Sequence, residues 1–391
     1  MIGRILTKIV KWHKFAKSVQ RVSDINKNGL ILHRKVFDMD ELYYKSVDLL
    51  KRLISTPSVS REENAVADIV CDFFQANGFE PQRQGNNVWA KSPDYDIAKP
   101  TLLLNSHIDT VKPVAGWTRD PYTPIEEDGK LYGLGSNDAG ASLVSLLAAF
   151  IYLCKRPRSY NLIMLASCEE EVSGKNGIES VISKLTPVSV AIVGEPTEMQ
   201  PAIAEKGLMV LDGVVRGVSG HAARNEGVNA IYEALGVVER LRNLRFEKES
   251  QMLGPVKISV TQINAGTQHN VVPDECRIVV DVRSTDAYSN VQTLALIRKA
   301  VPQCELTPRS TRLTPSYISL SHPLVKRLQI LGAKPFGSPT LSDQALMPWQ
   351  SLKLGPGSSS RSHTADEFIY LDEIRNAINT YITVLDGLVL E

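Results

Sequence analysis

Hydrophobic positions along the chain fall into two textures. Val47, Leu50, Leu53 and Ile54 share one helical face that ends before Thr56-Pro57, because a residue preceding proline is pushed out of the helical region. Ser60 and Glu63 have capping-box spacing and predict a second helix over 65–74, stopped by Asn77-Gly78. Continuously apolar runs follow at 101–105, 162–166 and 190–193, each bounded by polar or turn residues. Runs of that kind predict strands buried on both faces, and so a mostly parallel sheet with helices between its strands. An Ala- and Leu-rich helix over 138–154 fits as a crossover.

Beyond Glu205 the texture changes. Residues 208–218 alternate like a half-exposed strand, and a helix is predicted over 227–244. Strands at 256–263 and 277–282 bracket Asn264-Ala265-Gly266, followed by a helix over 289–300 and a strand near 304–306. Strand-helix-strand-strand-helix-strand is the order of a small α+β sandwich. After Pro315 the alternating pattern returns and ends in a helix over 372–388. The expected fold is α/β: a catalytic domain with a mostly parallel central sheet flanked by helices, plus an inserted smaller α+β domain. The expected boundaries are 39–204 with 314–391 for the larger domain and 205–313 for the smaller.

Residues 1–38 read as an extension outside this fold. Arg4, Lys8, Lys11, Lys14, Lys17 and Arg21 recur at roughly helical spacing among Ile5, Ile9, Trp12 and Phe15, a pattern also open to a membrane-surface helix or a transit segment. Overall, 44 basic residues balance 43 acidic ones, which gives no support to nucleic-acid binding. No apolar run approaches the ~18 residues of a membrane-spanning helix, so no membrane partner is expected. The five cysteines are odd in number and free of CxxC spacing, which favours a reducing cytoplasm over a disulfide framework. Cys168 is expected as a small packed residue at a strand end.

Ligand-type side chains stand directly after the buried runs. The run at 101–105 delivers His107 and Asp109; that at 162–166 delivers Glu169, Glu170 and Glu171; that at 190–193 delivers Glu195. Another run leads through Gly355-Pro356-Gly357 to His363, and the turn Gly133-Leu134-Gly135 precedes Asp138. The carboxyl ends of parallel strands are where ligands gather in an open sheet. Carboxylates converging in one cleft repel and protonate unless cations compensate them. Two histidines and three carboxylates suit two borderline divalent cations, with a further glutamate free to act as a base. Each piece alone is commonplace; the ordered set is specific.

These motifs resemble the co-catalytic zinc metallopeptidase and deacylase family that includes acetylornithine deacetylase, succinyl-diaminopimelate desuccinylase, aminoacylase and glutamate carboxypeptidase. The resemblance runs from about Met39 to the C-terminus and is nearest to acetylornithine deacetylase. It implies that His107, Asp138 and Glu195 hold one metal, with Asp138 bridging to a second held by Glu171 and His363. The ions would be zinc, with cobalt as the alternative. Glu170 would be the general base and Asp109 would orient His107. A cis peptide is implied at Asp138-Ala139. The family commonly has Arg and a Met-Lys-Gly run where this chain has Leu134 and Ala139-Gly140, which leaves the ligands intact but weakens inferences about substrate.

In the smaller domain, Gly217-Val218-Ser219-Gly220-His221-Ala222 resembles the segment whose histidine reaches a neighbouring subunit's site and stabilises the oxyanion. A homodimer through that domain is therefore implied. Asn270 and Arg283 match substrate-contact positions, and Asp343 is expected on the substrate side, where it would suit an ammonium group. His269 and His322 are assigned to a turn and a helix start. The implied activity is hydrolysis of an N-acyl amino acid, N2-acetyl- or N2-succinyl-ornithine first. Succinyl-diaminopimelate, a dipeptide, or a non-catalytic metal-binding role are the alternatives.

Overall fold

The computed structural model describes residues 39–185 and 187–390. The basic segment at 1–38 lies outside the described residues. The first two helices form as the spacing predicts, at Met39–Ile54 and Asn64–Ala76. The capping box does not form. Glu63 occupies the N-cap without a side-chain cap bond. Its buried carboxylate instead accepts the N–H groups of Arg61 and Glu169, while the Ser60 hydroxyl donates to Asp109. Two residues chosen for helix-start spacing are thus drawn to the acidic strand ends instead.

The central sheet has nine strands. At its heart Asn161–Ser167, Thr101–His107, Val190–Val193 and Gln350–Lys353 lie side by side and parallel. All side chains of the first three are buried, as expected for strands covered on both faces. The flanks are antiparallel, apart from Phe336–Ser338, which lies parallel to Ala202–Glu205. Asn87–Lys91 and Gln82–Gln84 extend one side, and Ala202–Glu205 with Ser316–Tyr317 extends the other. These flanking strands are short and mixed in polarity, and carry no continuous apolar signal.

The crossover helix spans Ala141–Leu153 and is preceded by an irregular turn at Ser136–Gly140, so Asp138 precedes the helix rather than starting it. Residues 136–153 have the length and apolarity of a membrane span (mean hydropathy 1.3), but 83% of that stretch is buried in the protein core. It is a core helix.

A second sheet is antiparallel throughout, in the order Lys257–Ala265, Glu275–Ser284, Gly207–Arg216, Cys304–Pro308. One face packs Met209, Leu211, Val215, Ile278, Val280 and Val282 against helices Ala230–Asn243 and Asn290–Ala300; the alternate side chains face away, as strand periodicity requires. Asn264 and Ala265, expected between two strands, continue the first of them opposite Arg277 and Cys276. The chain reverses later, through Val271–Val272, which pairs with Gly220–His221. His322 caps the helix Pro323–Ile330 by accepting the Leu324 N–H at 3.2 Å, as its place before Pro323 suggests.

Candidate metal centre

The four parallel strands end on the same side, and their carboxyl ends carry the ligand-type residues. His107 closes its strand and is 2% exposed. Its Nδ1 lies 2.8 Å from the backbone carbonyl of Asp109, with the Asp109 carboxylate farther away at 3.6 Å. Asp109 therefore orients the ring chiefly through its main chain. Its carboxylate accepts from Ser60 Oγ (2.7 Å) and from the backbone N–H groups of Glu170 and Glu171 (3.0 and 3.1 Å). The loop after strand Asn161–Ser167 reverses at Glu169, whose left-handed φ of 55° turns Glu170 and Glu171 toward the cleft.

Asp138 is delivered by a tight glycine turn. Gly135 has φ 76°, and a Cβ on Gly140 would meet the Gly135 carbonyl at 2.5 Å, so neither position tolerates a side chain. The Asp138-Ala139 peptide is cis. Across the turn, the buried Glu367 accepts the backbone N–H groups of Gly135, Asn137 and Asp138 at 3.2, 2.8 and 2.9 Å.

The arrangement around Asp138 defines the centre. Its Oδ1 faces His107 Nε2 at 3.3 Å, and its Oδ2 faces His363 Nε2 at 3.6 Å. His363 Nε2 also lies 3.0 Å from Glu171, and His107 Nε2 lies 3.9 Å from Glu195. One carboxylate thus stands between two histidine-carboxylate pairs. Candidate ligand atoms of His107, Asp138 and Glu171, and likewise of His107, Glu170 and Glu195, fall within 4.8 Å of one another.

The electrostatics are those of a site built for cations. Burial and the nearby Asp138 push Glu195 up to about 8, against His107 and Lys353. Burial, then Glu195, pushes Glu170 well above the usual carboxylate range. Burial opposes a charged His107, yet its bonds to Asp109 and Asp138 raise it well above the usual imidazole value. Among the described residues, Glu195 Oε1 is buried with no hydrogen-bond partner. A buried orphan oxygen facing an imidazole nitrogen fits a divalent cation, which would satisfy it and offset the acidic charge.

Residues 103–387 match the profile of Peptidase family M20/M25/M40. The chain belongs to that family. As an M20 protein it is a metal-dependent hydrolase, and its fold recurs in solved structures. The aminopeptidase PepT from Bacillus cereus superposes with a TM-score of 0.73 at 16% identity, covering 88% of this chain and 98% of the other. A Staphylococcus aureus tripeptidase gives 0.70 at 20% identity, with 88% and 97% covered. A Bacillus subtilis protein described as a dinuclear metal-binding M20 peptidase gives 0.67 at 15% identity, with 89% and 100% covered.

In this M20 chain a cavity of about 410 Å³ opens over Asp138, Glu170, Glu171, Glu195 and His363, walled opposite by Phe336 and 338–341. Other expected site residues lie elsewhere. His221 is exposed and accepts the Ala223 N–H at its Nδ1. Asn270 is also exposed and pairs with the same loop through Ala222. Arg283 is held by Asp281 through two hydrogen bonds. None of the three lines the cavity.

Asp343 needs a correction. It is 3% exposed, and its carboxylate accepts from Asn105 (2.9 Å) and Ser167 (2.6 Å). It ties two parallel strands together and does not line the cavity where a substrate ammonium is expected to meet it. Glu367, Ser60 and Glu63 are the supports that sequence reasoning misses as such. Glu367 carries one usable signal, its place as the second acid of Asp366-Glu367, four residues after His363.

Proposed function

We propose that the chain hydrolyses the amide bond of an N-acyl amino acid, with N2-acetyl- or N2-succinyl-ornithine as the first substrates to try. The observation that carries this reading is Asp138, whose two carboxylate oxygens face His107 and His363 separately, with the half-buried Glu170 alongside. In this reading His107, Asp138 and Glu195 hold one divalent cation, and Asp138, Glu171 and His363 hold the other, zinc before cobalt. Bound there, the cations would polarise the amide carbonyl and acidify a shared water. Glu170 takes the proton of the attacking water and passes it to the leaving nitrogen, a role its raised proton affinity suits. The cavity wall at Phe336 and 338–341 faces the acyl chain or amino-acid side chain.

Residues 205–313 act in this reading as a lid and dimerisation domain. His221 and Asn270 stand outside the cavity of their own chain, which supports delivery of His221 to the site of a second copy in a homodimer. Five free cysteines support a cytoplasmic setting. The test is amide hydrolysis by zinc- or cobalt-loaded protein on N-acetyl-ornithine, N-succinyl-ornithine, N-succinyl-diaminopimelate and a dipeptide, each with a chelator control. Chelator-sensitive release of ornithine supports the reading and names the acyl group. Cleavage of the dipeptide alone would move the chain to peptide hydrolysis, and silence on all four would sink the ornithine assignment.

A further inference from the structure

The candidate ligands are not all held in the same way. The side chains of His107, Asp138, Glu171 and Glu195 are 1%, 13%, 9% and 13% exposed, whereas that of His363 is 52% exposed. Packing fixes the first four and leaves the His363 imidazole to whatever fixes its loop. Its backbone stands at φ 58°, a conformation that a non-glycine residue keeps only where its surroundings hold it.

Asn137, the neighbour of Asp138, supplies such a hold. It is fully buried. Its Nδ2 donates to the Ser358 carbonyl at 3.1 Å and to Ser362 Oγ at 3.2 Å, and its Oδ1 accepts the Ser358 N–H at 3.1 Å. One buried amide thus grips the loop near its start and again at the residue before His363. The fit is close, since a Cβ on Gly357 would meet Asn137 Oδ1 at 2.3 Å. Arg361, between the two gripped serines, is anchored separately by Glu373 through hydrogen bonds of 2.9 and 2.7 Å.

The same loop is stitched to the residues that follow Glu195. The Glu198 N–H donates to the Gly357 carbonyl at 2.7 Å, the Thr197 N–H to the Gly355 carbonyl at 3.2 Å, and the Gly355 N–H to Thr197 Oγ1 at 3.1 Å. Residues 355–358 therefore bridge the loop of Glu195 and the turn of Asp138. Buried amide hydrogen bonds are costly to leave unmade, so the loop follows the turn to which Asn137 ties it.

We propose that Asn137 is a positioning residue that couples the two cation sites. Ordering of the Asp138 turn at the site of His107, Asp138 and Glu195 passes through Asn137 to Ser358 and Ser362, and sets His363 for the second site. The inference rests on the two-cation reading above and deepens it. Binding at the two sites is then cooperative, the second ion held more tightly once the first is in place.

The test titrates full-length, metal-free protein with zinc and with cobalt, by calorimetry and by the visible absorption of bound cobalt. N137A should weaken the second ion about 10–100-fold and leave the first nearly unchanged. In an H363A background, which removes the second site, N137A should not alter the remaining ion. Equal weakening of both ions, or weakening that persists in H363A, would mean that Asn137 only maintains the Asp138 turn, and overturns the coupling. Should N137A fail to fold, S362A removes the single contact beside His363; it should weaken the second ion alone, and an unchanged Kd overturns the proposal. Wild-type protein that takes up fewer than two ions sinks the two-cation reading and the coupling with it. Two ions bound alike by wild type and N137A overturn the coupling alone.

Discussion

The carboxylate of Asp109 accepts the backbone N–H of Glu170 at 3.0 Å. The residue two positions after the candidate ligand His107 therefore fixes the loop carrying the candidate base. A third acceptor contact, from Ser60 Oγ at 2.7 Å, holds the carboxylate itself. Asp109→Ala leaves the part-buried Glu170 and Glu171 amides without their acceptor. Turnover should fall about 10–100-fold, with metal affinity weakened over a similar range. Steady-state kinetics beside metal titration checks this, and a variant with wild-type kcat would remove Asp109 from the positioning set.

Glu170→Gln keeps the shape of the side chain and removes its proton-accepting charge. Turnover should drop by at least about 10² while two metals per chain remain on elemental analysis. The same residue also falls within 4.8 Å of His107 and Glu195 as a candidate ligand group. Loss of one metal in the variant would make Glu170 a ligand and leave the base to be found elsewhere.

The hydrophobic pattern makes the parallel core legible because strands buried on both faces must be apolar throughout. The candidate ligands then follow from position: His107 closes such a strand, and Glu171 and Glu195 stand in the loops just beyond theirs. Residues that act through long-range contacts leave no such trace. Ser60 and Glu63 imitate a helix cap because capping uses the same short polar side chains as hydrogen bonding to a distant loop. Asp343 reads as a substrate-side acid, because nothing in the sequence shows Asn105 and Ser167 closing around it. The antiparallel flanking strands escape for a different reason: at three to five residues with mixed polarity, Gln82–Gln84 and Asn87–Lys91 have no period to detect.

Glu367 gathers three backbone N–H groups of the turn that presents Asp138. Glu367→Ala would strand three donors in a buried turn, at a cost of about 1–3 kcal/mol for each buried group left unsatisfied. Metal affinity should weaken about 10–100-fold, with Glu367→Gln recovering part of it through its remaining carbonyl. Competition with a chromogenic chelator measures the affinity, and unaltered binding in the alanine variant would show that the turn holds without Glu367.

Metal removal should change the sign of the response to pH. Burial first, then Asp138, raises both Glu195 and Glu367 to about 8 from an ordinary 4.5. His107 is also raised from 6.5, by its bonds to Asp109 and Asp138 acting against burial. Each group binds its proton more tightly folded than unfolded, so its contribution is complete below the unfolded pKa and is lost as pH rises through the folded one. Chelated protein should therefore melt at progressively lower temperature from about pH 5 to about pH 8. Metal-loaded protein should not, because cations replace the protons. Melting curves with and without chelator decide it; parallel pH profiles would place the cations away from these residues.

Lys353 and Glu205 make an ion pair at 2.9 Å with side chains 4% and 0% exposed. Lys353 spends its remaining donors on Thr340, through the carbonyl and Oγ1 at 3.1 and 3.0 Å. Glu205 accepts the N–H and hydroxyl of Ser342 at 2.9 and 2.7 Å. Between them they pin the 338–342 segment that walls the cavity opposite the candidate ligands. Lys353→Met leaves a buried carboxylate without its cation and should destabilise the fold by about 3–5 kcal/mol. Adding Glu205→Gln removes the orphan charge and keeps an acceptor for Ser342, so the double variant should regain much of that loss. Chemical denaturation of the single and double variants provides the comparison. A double variant no more stable than Lys353→Met alone would mean that the pair acts through packing rather than charge, and would free the cavity wall from electrostatic control.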